Sequence, residues 1–216
     1  MTPIIKELVT TFFEAYPLKT YNRDEIIARP GQSLPGIMYV EEGRAIQYDI
    51  TNDGRQIVLN SFRKPAFFSM SNALLDLPNA YFFAAETKLR VRCAPYADVL
   101  SFLEKHPEVQ FDLLKRVFQG TEGILRRLSY ALGGRASTAI QFEVLIMARR
   151  FGTSDKNGCS VVVTHQQLAE RTGLSRETVS RELELLQRRG LIELGYRSVV
   201  VPNIQRLEET LDLEVN

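Results

Sequence analysis

The sequence predicts an α+β protein in which a β-roll or jelly-roll precedes one long helix, and a smaller region of helices and a β-hairpin follows. Three patterns lead to this order. Turn residues separate short apolar runs up to about residue 95, a helical pattern runs unbroken over 107–132, and further helices follow the glycine pair at 133–134. A chain of 216 residues can bury its core without disulfide or metal staples. We therefore divide it into residues 1–106, 107–134 and 135–216.

The first twenty residues predict a short amphipathic helix, because apolar side chains such as Ile5, Leu8 and Phe12 recur on one side. No basic segment followed by a long apolar run opens the chain, and no apolar stretch reaches the length of a membrane span. We therefore expect a cytoplasmic protein that does not contact a membrane.

The roll is predicted from short β-like runs between regularly spaced turns. Gly31, Gly43 and Gly54 fall about a dozen residues apart, as in barrels built from many short strands. Residues 45–50 alternate polar and apolar side chains, and 81–93 form a second β-like run. A short helix over 97–105 then closes the roll before Pro107.

The long helical pattern of residues 107–132 carries two apolar stripes. One has the spacing of a coiled-coil seam and the other recurs every seven residues. Because two apolar faces need two partners, we expect one face to pack on the roll and the other to form a homodimer through residues 110–132. A buried core helix in a monomer is the alternative. The seam holds Leu114, Val117, Thr121, Ile124, Leu128 and Ala131, and the second stripe holds Phe111, Phe118, Leu125 and Leu132.

The next part of the chain predicts a helix over 136–151, a polar loop over 152–158, a strand over 160–163 and then a helix-turn-helix. Ala169 is small where two helices would cross, Gly173 supplies a left-handed turn, and Ser175 caps a second helix. Residues 191–194 and 198–201 flank a turn and predict a β-hairpin wing. The apolar face of the motif comprises Leu168, Leu174, Val179, Leu183 and Leu186.

The second helix of this motif has a polar face formed by Arg176, Glu177, Ser180 and Arg181. Arginine can bind guanine N7 and O6 in the major groove, and glutamate can accept from cytosine N4. We therefore predict that Arg176, Glu177 and Arg181 read DNA bases. The alternative is a solvated face in which Glu177 pairs with Arg181 one turn away.

The order of roll, long helix and winged helix-turn-helix resembles the CRP/FNR family of bacterial transcription regulators, and residues 175–183 are similar to its recognition-helix signature. The resemblance implies a TGTGA half-site with its inverted repeat, in which Arg176 and Arg181 read guanines and Glu177 reads a cytosine. It implies that the bound dimer recruits or blocks RNA polymerase. It also implies phosphate contacts, to which the wing tip would add one. The predicted backbone contacts are Thr164, His165, Gln166, Ser175, Thr178 and Arg197.

The roll departs from the cyclic-AMP members of this family. Residues 65–72 lack the Gly-Glu pair that would hold the ribose, and 78–83 lack the arginine for the phosphate. A cyclic phosphate needs a cation or a cluster of amides, so we predict weak or no binding of cyclic AMP. An unknown small-molecule effector in an apolar pocket, or a constitutive regulator whose cavity is filled, are the two alternatives. The pocket would be lined by Phe67, Phe68, Met70, Tyr81, Phe83, Ile124 and Leu125.

Few residues could hold a metal or a redox cofactor. The chain has two cysteines, Cys93 and Cys159, and two histidines, His106 and His165, all far apart in sequence. These counts argue against a disulfide scaffold, a zinc ribbon, an iron–sulfur cluster and a multi-histidine metal site, and therefore against a β-roll enzyme. We predict no cofactor and no catalytic residue, and leave open whether Cys93 or His106 senses a signal.

The charge is uneven along the chain. The net charge is +1, from 27 basic and 26 acidic residues. Residues 135–206 hold 11 basic and 7 acidic residues, a net +4, whereas 207–216 hold four acidic residues and no basic one. The near-neutral total therefore conceals a basic region that suits double-stranded DNA.

Overall fold

The described part of the molecule comprises residues 1–75 and 77–215 of a computed structural model, with side chains up to residue 211. It separates into two units, residues 1–119 and 120–216. Helix α4 (Pro107–Gly133) contributes its first half to one unit and its second half to the other. Each unit is described by itself.

Residues 1–119 form the predicted roll from eight strands and three shorter helices, with the start of α4. The helices are α1 (Pro3–Glu14), α2 (Met70–Leu75) and α3 (Tyr96–Lys105). The strands are β1 (Leu18–Tyr21), β2 (Ile26–Ala28), β3 (Ile37–Glu42), β4 (Arg44–Ile50), β5 (Gln56–Arg63), β6 (Phe67–Phe68), β7 (Phe82–Ala85) and β8 (Leu89–Ala94).

Two four-stranded sheets make the roll, in the orders β1-β8-β3-β6 and β2-β7-β4-β5, and all their pairings are antiparallel. Alternate residues of β3 serve two cores, because successive side chains of a strand point to opposite faces. Met38 and Val40 pack between the sheets with Phe83, whereas Ile37 and Tyr39 pack outside, against the helices.

Three details of this unit differ from the sequence predictions. The first helix ends at Glu14, and the last of the twenty residues predicted as helical begin strand β1. Helix α2 was not predicted. The single β-like run over 81–93 is two strands, since residues 86–88 turn the chain back between β7 and β8.

Residues 120–216 contain the second half of α4, four further helices and a small sheet of order β11-β12-β10-β9. The helices are α5 (Ala136–Phe151), α6 (His165–Thr172), α7 (Arg176–Arg188) and α8 (Ile204–Val215). The strands are β9 (Thr153–Asp155), β10 (Gly158–Val162), β11 (Glu193–Gly195) and β12 (Ser198–Val201). We call residues 136–215 the head.

Two features of the head were missed. The predicted loop over 152–158 is wrong, because Thr153–Asp155 pairs with β10 as an edge strand. The acidic end of the chain forms α8, whose Leu207 and Leu211 are buried in the head core. Buried Gln141 holds this helix on α5 by donating to the Leu207 carbonyl at 2.7 Å and to Thr210 Oγ1 at 3.0 Å.

The long helix α4 covers the roll with a face other than the predicted one. Val109 is buried and Leu113 packs beside it, while the Arg116 guanidinium lies 5.1 Å from the centre of the Phe67 ring. These positions recur at i, i+4 and i+7. The expectation that one of the two apolar stripes packs on the roll is therefore wrong, since the stripe residues within 107–119 are exposed and Val109 and Leu113 pack there instead. The exposed members of the two stripes are Phe111, Leu114, Val117, Phe118, Ile124, Leu125, Leu128 and Leu132.

Candidate DNA-binding site

The helix-turn-helix begins with a capping box at Thr164. The Gln167 amide donates to Thr164 Oγ1 at 3.1 Å, and the Thr164 amide donates back to Gln167 Oε1 at 2.9 Å. This reciprocal pair satisfies two amides that would otherwise lack partners at the start of α6. The Thr164 hydroxyl is thus engaged in the cap. His165 is half-buried, and exposed Gln166 donates from its side-chain amide to Glu170 Oε1 at 3.1 Å. The start of a helix favours anions.

The turn between the two helices depends on Gly173. Its φ of 73° lies in the left-handed region, and its amide donates to the Ala169 carbonyl at 2.8 Å. A side chain at this angle would be strained, so glycine is the residue that suits the turn. Ser175 then caps α7, accepting from the Thr178 amide at 3.1 Å. Both landmarks were predicted from the sequence.

Helix α7 is fixed in rotation by its buried face. Val179, Leu183 and Leu186 are fully buried in the head core, together with Leu168 from α6. Because these side chains point inwards, Arg176, Glu177 and Arg181 point outwards and are exposed. The structure therefore brings the three predicted base-reading residues together on one surface.

The charged groups on this surface are exposed and make only local contacts. Arg181 is 70% exposed and pairs with Glu182 at 3.2 Å, so the alternative pairing with Glu177 does not occur. Hydrogen bonds from its own backbone amide and from Ser175, with the nearby Arg176, hold the pKa of Glu177 below its usual range. Glu177 is therefore an ionised acceptor at neutral pH, as recognition of a cytosine amino group requires.

The wing is a hairpin of β11 and β12 with its tip at Tyr196 and Arg197. The Arg197 carbonyl accepts from the Val163 amide at 3.0 Å, which ties the tip to the residue before the Thr164 cap of α6. Arg197 has a φ of 53°, and its side chain is exposed. Tyr196 at the tip is 92% exposed.

Of the residues predicted to line an effector pocket, those in the roll do not share one face. Phe68 and Phe83 stack inside the roll with ring centres 5.2 Å apart. Phe67 points to the opposite side, 6.1 Å from Phe13, and Met70 packs in that outer cluster. Tyr81 is partly exposed. Ile124 and Leu125 are exposed on α4, in residues 120–216.

Residues 78–83, where the family resemblance would place the cyclic phosphate, contain a buried asparagine that bonds to the backbone. Asn79 is buried, and its side-chain amide donates to the carbonyl of Arg29 at 2.9 Å and to that of Tyr81. Its carbonyl oxygen accepts from the Tyr81 amide at 3.2 Å. Ser69, in the segment 65–72, is also buried, and its hydroxyl donates to the Gly36 carbonyl at 2.8 Å. These polar atoms bind backbone and do not converge on an anion.

A groove of about 430 Å³ opens on the outer side of the roll, between α1 and α3. It contains none of the predicted pocket residues. The lining residues are Ile4, Glu7, Leu8, Thr11, Phe12, Phe102 and His106.

Cys93 and His106 lie in different surroundings. Burial raises the pKa of the Cys93 thiol, which keeps it protonated at neutral pH and poorly reactive. His106 pairs with Glu108 at 3.1 Å at the start of α4. Within residues 1–75 and 77–215, no three His, Cys, Asp or Glu side chains are grouped so that they could hold a metal ion. Across the same residues, no helix is both long and apolar enough to cross a membrane.

Comparisons with known proteins match both halves of the chain. The cyclic nucleotide-binding domain family matches residues 18–106, and the Crp-like helix-turn-helix domain family matches residues 143–210. A Global nitrogen regulator from Nostoc sp. is 24% identical, covering 92% of this chain and 90% of its own. The transcriptional regulator LdrP from Thermus thermophilus is 28% identical, covering 88% of this chain and 95% of its own.

Solved structures have the same order of domains. A CRP-family transcriptional regulator from Thermus thermophilus superposes with a TM-score of 0.73 at 25% identity, over 90% of this chain and 96% of its own. A CooA mutant from Carboxydothermus hydrogenoformans superposes with a TM-score of 0.77 at 15% identity, over 93% of this chain and 90% of its own. The class defined by roll, long helix and winged helix-turn-helix is that of DNA-binding transcription regulators.

This chain belongs to the CRP/FNR family within that class. It is a DNA-binding transcription regulator and not an enzyme, so the β-roll enzyme alternative is set aside.

Proposed function

We propose that this protein binds DNA as a homodimer, reads a TGTGA-like palindrome with one α7 helix per half-site, and controls transcription by recruiting or blocking RNA polymerase in the cytoplasm. The observation that carries the proposal is the outward face of α7, where Arg176, Glu177 and Arg181 stand exposed while the opposite face is buried. The start of a recognition helix is the part that reaches base edges.

Backbone contacts are assigned around this face. The start of α6 carries His165 and Gln166, and the wing tip carries Arg197. Thr164 and Ser175 act through their caps, which orient the helix starts and their amides towards phosphates, and Thr178 lies beside the second cap. These contacts fix the register on the duplex without carrying sequence information.

The homodimer is supported by the two apolar stripes of α4. Their large side chains remain exposed in the single chain, on both halves of the helix. A contiguous apolar surface of this length marks an interface, and a second copy of α4 has the matching seam. Leu128→Glu introduces a charge into that seam at an exposed position, so we expect a folded monomer in analytical ultracentrifugation. A variant that stays dimeric would contradict the assignment.

The roll is proposed to respond to an effector other than a cyclic nucleotide, or to none. The supporting observation concerns Asn79, in the segment that lacks the family's phosphate-binding arginine. Its side-chain amide donates hydrogen bonds to two backbone carbonyls. Relatives differ in what they are said to respond to: one is called cAMP-activated and another c-di-GMP responsive. A filled interior, with Phe68 stacked on Phe83, favours the constitutive alternative.

One titration separates these possibilities. Fluorescence anisotropy of the purified protein on a labelled TGTGA palindrome, with a scrambled duplex as control, measures sequence preference without effector. Tight, selective binding that is unchanged by cyclic AMP supports a constitutive regulator. Non-selective binding that becomes selective with an added compound supports an effector. Failure to bind any duplex at low salt would refute both.

A further inference from the structure

The second half of α4 is joined to the head by a buried ion-pair network. Arg127 on α4 donates to Glu143 Oε2 through Nη2 at 2.9 Å and through Nε at 3.2 Å. The Glu143 side chain is only 2% exposed, on α5. Its other oxygen, Oε1, lies 3.9 Å from Arg171 Nη1, on the last turn of α6. One carboxylate thus links three helices.

A ring contact lies beside this network. Tyr130 is buried, and its ring lies 4.9 Å from that of Phe142 on α5. Gly134 permits the sharp exit from α4 at this point, because a Cβ there would stand 2.6 Å from the Tyr130 carbonyl. Gly134 therefore suits the short connection between α4 and α5.

The network lies next to the apolar seam. Arg127 and Tyr130 contact the head, whereas Ile124 and Leu128 are exposed. A single stretch of helix therefore contacts the head on one face and offers the proposed dimer surface on an adjacent face. Whatever fixes that contact also fixes each head relative to the dimer axis.

We propose that Arg127 and Glu143 are positioning residues for DNA recognition, which hold the helix-turn-helix at the angle and distance that a palindrome requires. Neither touches DNA in this proposal; they act through α5 and α6. A buried ion pair adds little net stability compared with apolar residues, but its hydrogen bonds fix orientation. The inference rests on the proposed function, because it concerns how two heads meet two half-sites.

Such positioning residues determine which spacing between half-sites the dimer prefers. Each base pair inserted between half-sites rotates one relative to the other by about 34°, since a turn takes about 10.5 base pairs. A rigidly held pair of heads should bind one spacing best, and a loosely held pair should tolerate several. An isolated half-site binds one head only, so the affinity for it depends on the recognition surface and not on how the two heads are held.

The test compares Arg127→Gln with Arg126→Gln, which removes the same charge from an adjacent, exposed position on the helix. Anisotropy is measured on palindromes with zero to three inserted base pairs and on a single half-site. We expect Arg127→Gln to reduce the preference for the best spacing by about tenfold, with half-site affinity unchanged. Arg127→Lys, which keeps the charge, should restore part of the preference, and Arg126→Gln should match the wild type.

Two results would overturn the proposal: an unchanged spacing preference in Arg127→Gln, or an equal loss on half-site and palindrome. Amide exchange gives a reading that does not need DNA. Residues 128–133 and 136–140 should exchange faster in Arg127→Gln than in Arg126→Gln, and equal rates would also overturn it. If wild-type protein prefers no palindrome at any spacing, the proposed function fails, and the exchange rates alone decide this inference. Glu143→Gln is a second variant, expected to behave as Arg127→Gln does.

Discussion

The recognition helix exposes its charged side chains, whereas the roll interior buries its aromatic ones. Arg176 and Arg181 project from α7 into solvent, whereas Phe68 and Phe83 stack on each other between two sheets. The first arrangement leaves charged groups available to a large polar ligand. The second fills with the protein's own side chains the volume that a small ligand would need. The head is thus built for an external partner, and the roll interior for its own stability.

The largest expected effect is on stability, and it tests whether the roll interior is filled by its own side chains. Phe83→Ala removes a buried ring that stacks on Phe68, so we expect a loss of about 3–5 kcal/mol in the free energy of unfolding, measured by urea denaturation. Tyr81→Ala, at a partly exposed ring two residues away, should cost clearly less. A small loss for Phe83→Ala would instead indicate an open, ligand-accessible cavity around this ring.

A second prediction concerns the recognition helix. Glu177→Ala should relax the choice of base pair at one position of each half-site, worth about 1–3 kcal/mol of discrimination. Glu177 is exposed, so the urea midpoint should fall only slightly, through loss of its contacts with Ser175 and its own backbone amide. The measurement is competition anisotropy with duplexes that carry each of the four base pairs at that position. An unchanged base preference would remove Glu177 from the reading surface.

The pH dependence of that preference follows from the Glu177 carboxylate. Its folded pKa is lowered, so the ionised acceptor persists as the pH falls towards the usual glutamate range. We therefore expect the base preference contributed by Glu177 to stay constant from about pH 8 to about pH 5, in the window above the ordinary glutamate pKa. A preference lost near neutral pH would point to another titrating group.

The smallest predicted effect is at the wing. Arg197→Ala should weaken binding to all duplexes alike, and should reduce the slope of log affinity against log salt by about one per head. Tyr196→Phe is a matched control, because it keeps the ring and the hairpin tip. A loss confined to the TGTGA duplex would mean that Arg197 reads bases and not phosphates.

The head could be predicted closely because its signals are local. Gly173 sets the turn, Ser175 caps the next helix, and the spacing of Val179 and Leu183 determines which residues face outwards. The acidic α8 was missed because its burial depends on Gln141, more than sixty residues earlier. Such a contact has no local signature.

The prediction of the pocket was less accurate, because it depended on which face of a strand or helix each residue occupies. Phe67 and Phe68 are adjacent in a strand, so they necessarily point to opposite sides of the sheet. The stripes of α4 raised the same difficulty: apolar spacing identified them, but the roll packs on Val109 and Leu113 instead. The Arg127–Glu143 pair joins two helices across a glycine turn, and sequence spacing alone does not reveal it.

The most direct test of the account is base-specific binding by Arg181. Wild type and Arg181→Ala are compared by anisotropy, at one salt concentration, on the TGTGA palindrome, on palindromes with one guanine changed in both half-sites, and on a scrambled duplex. We predict that Arg181→Ala loses about 1–3 kcal/mol per half-site on the palindrome, little on the scrambled duplex, and becomes indifferent to one of the guanine changes. An equal loss on every duplex would contradict base reading by this helix.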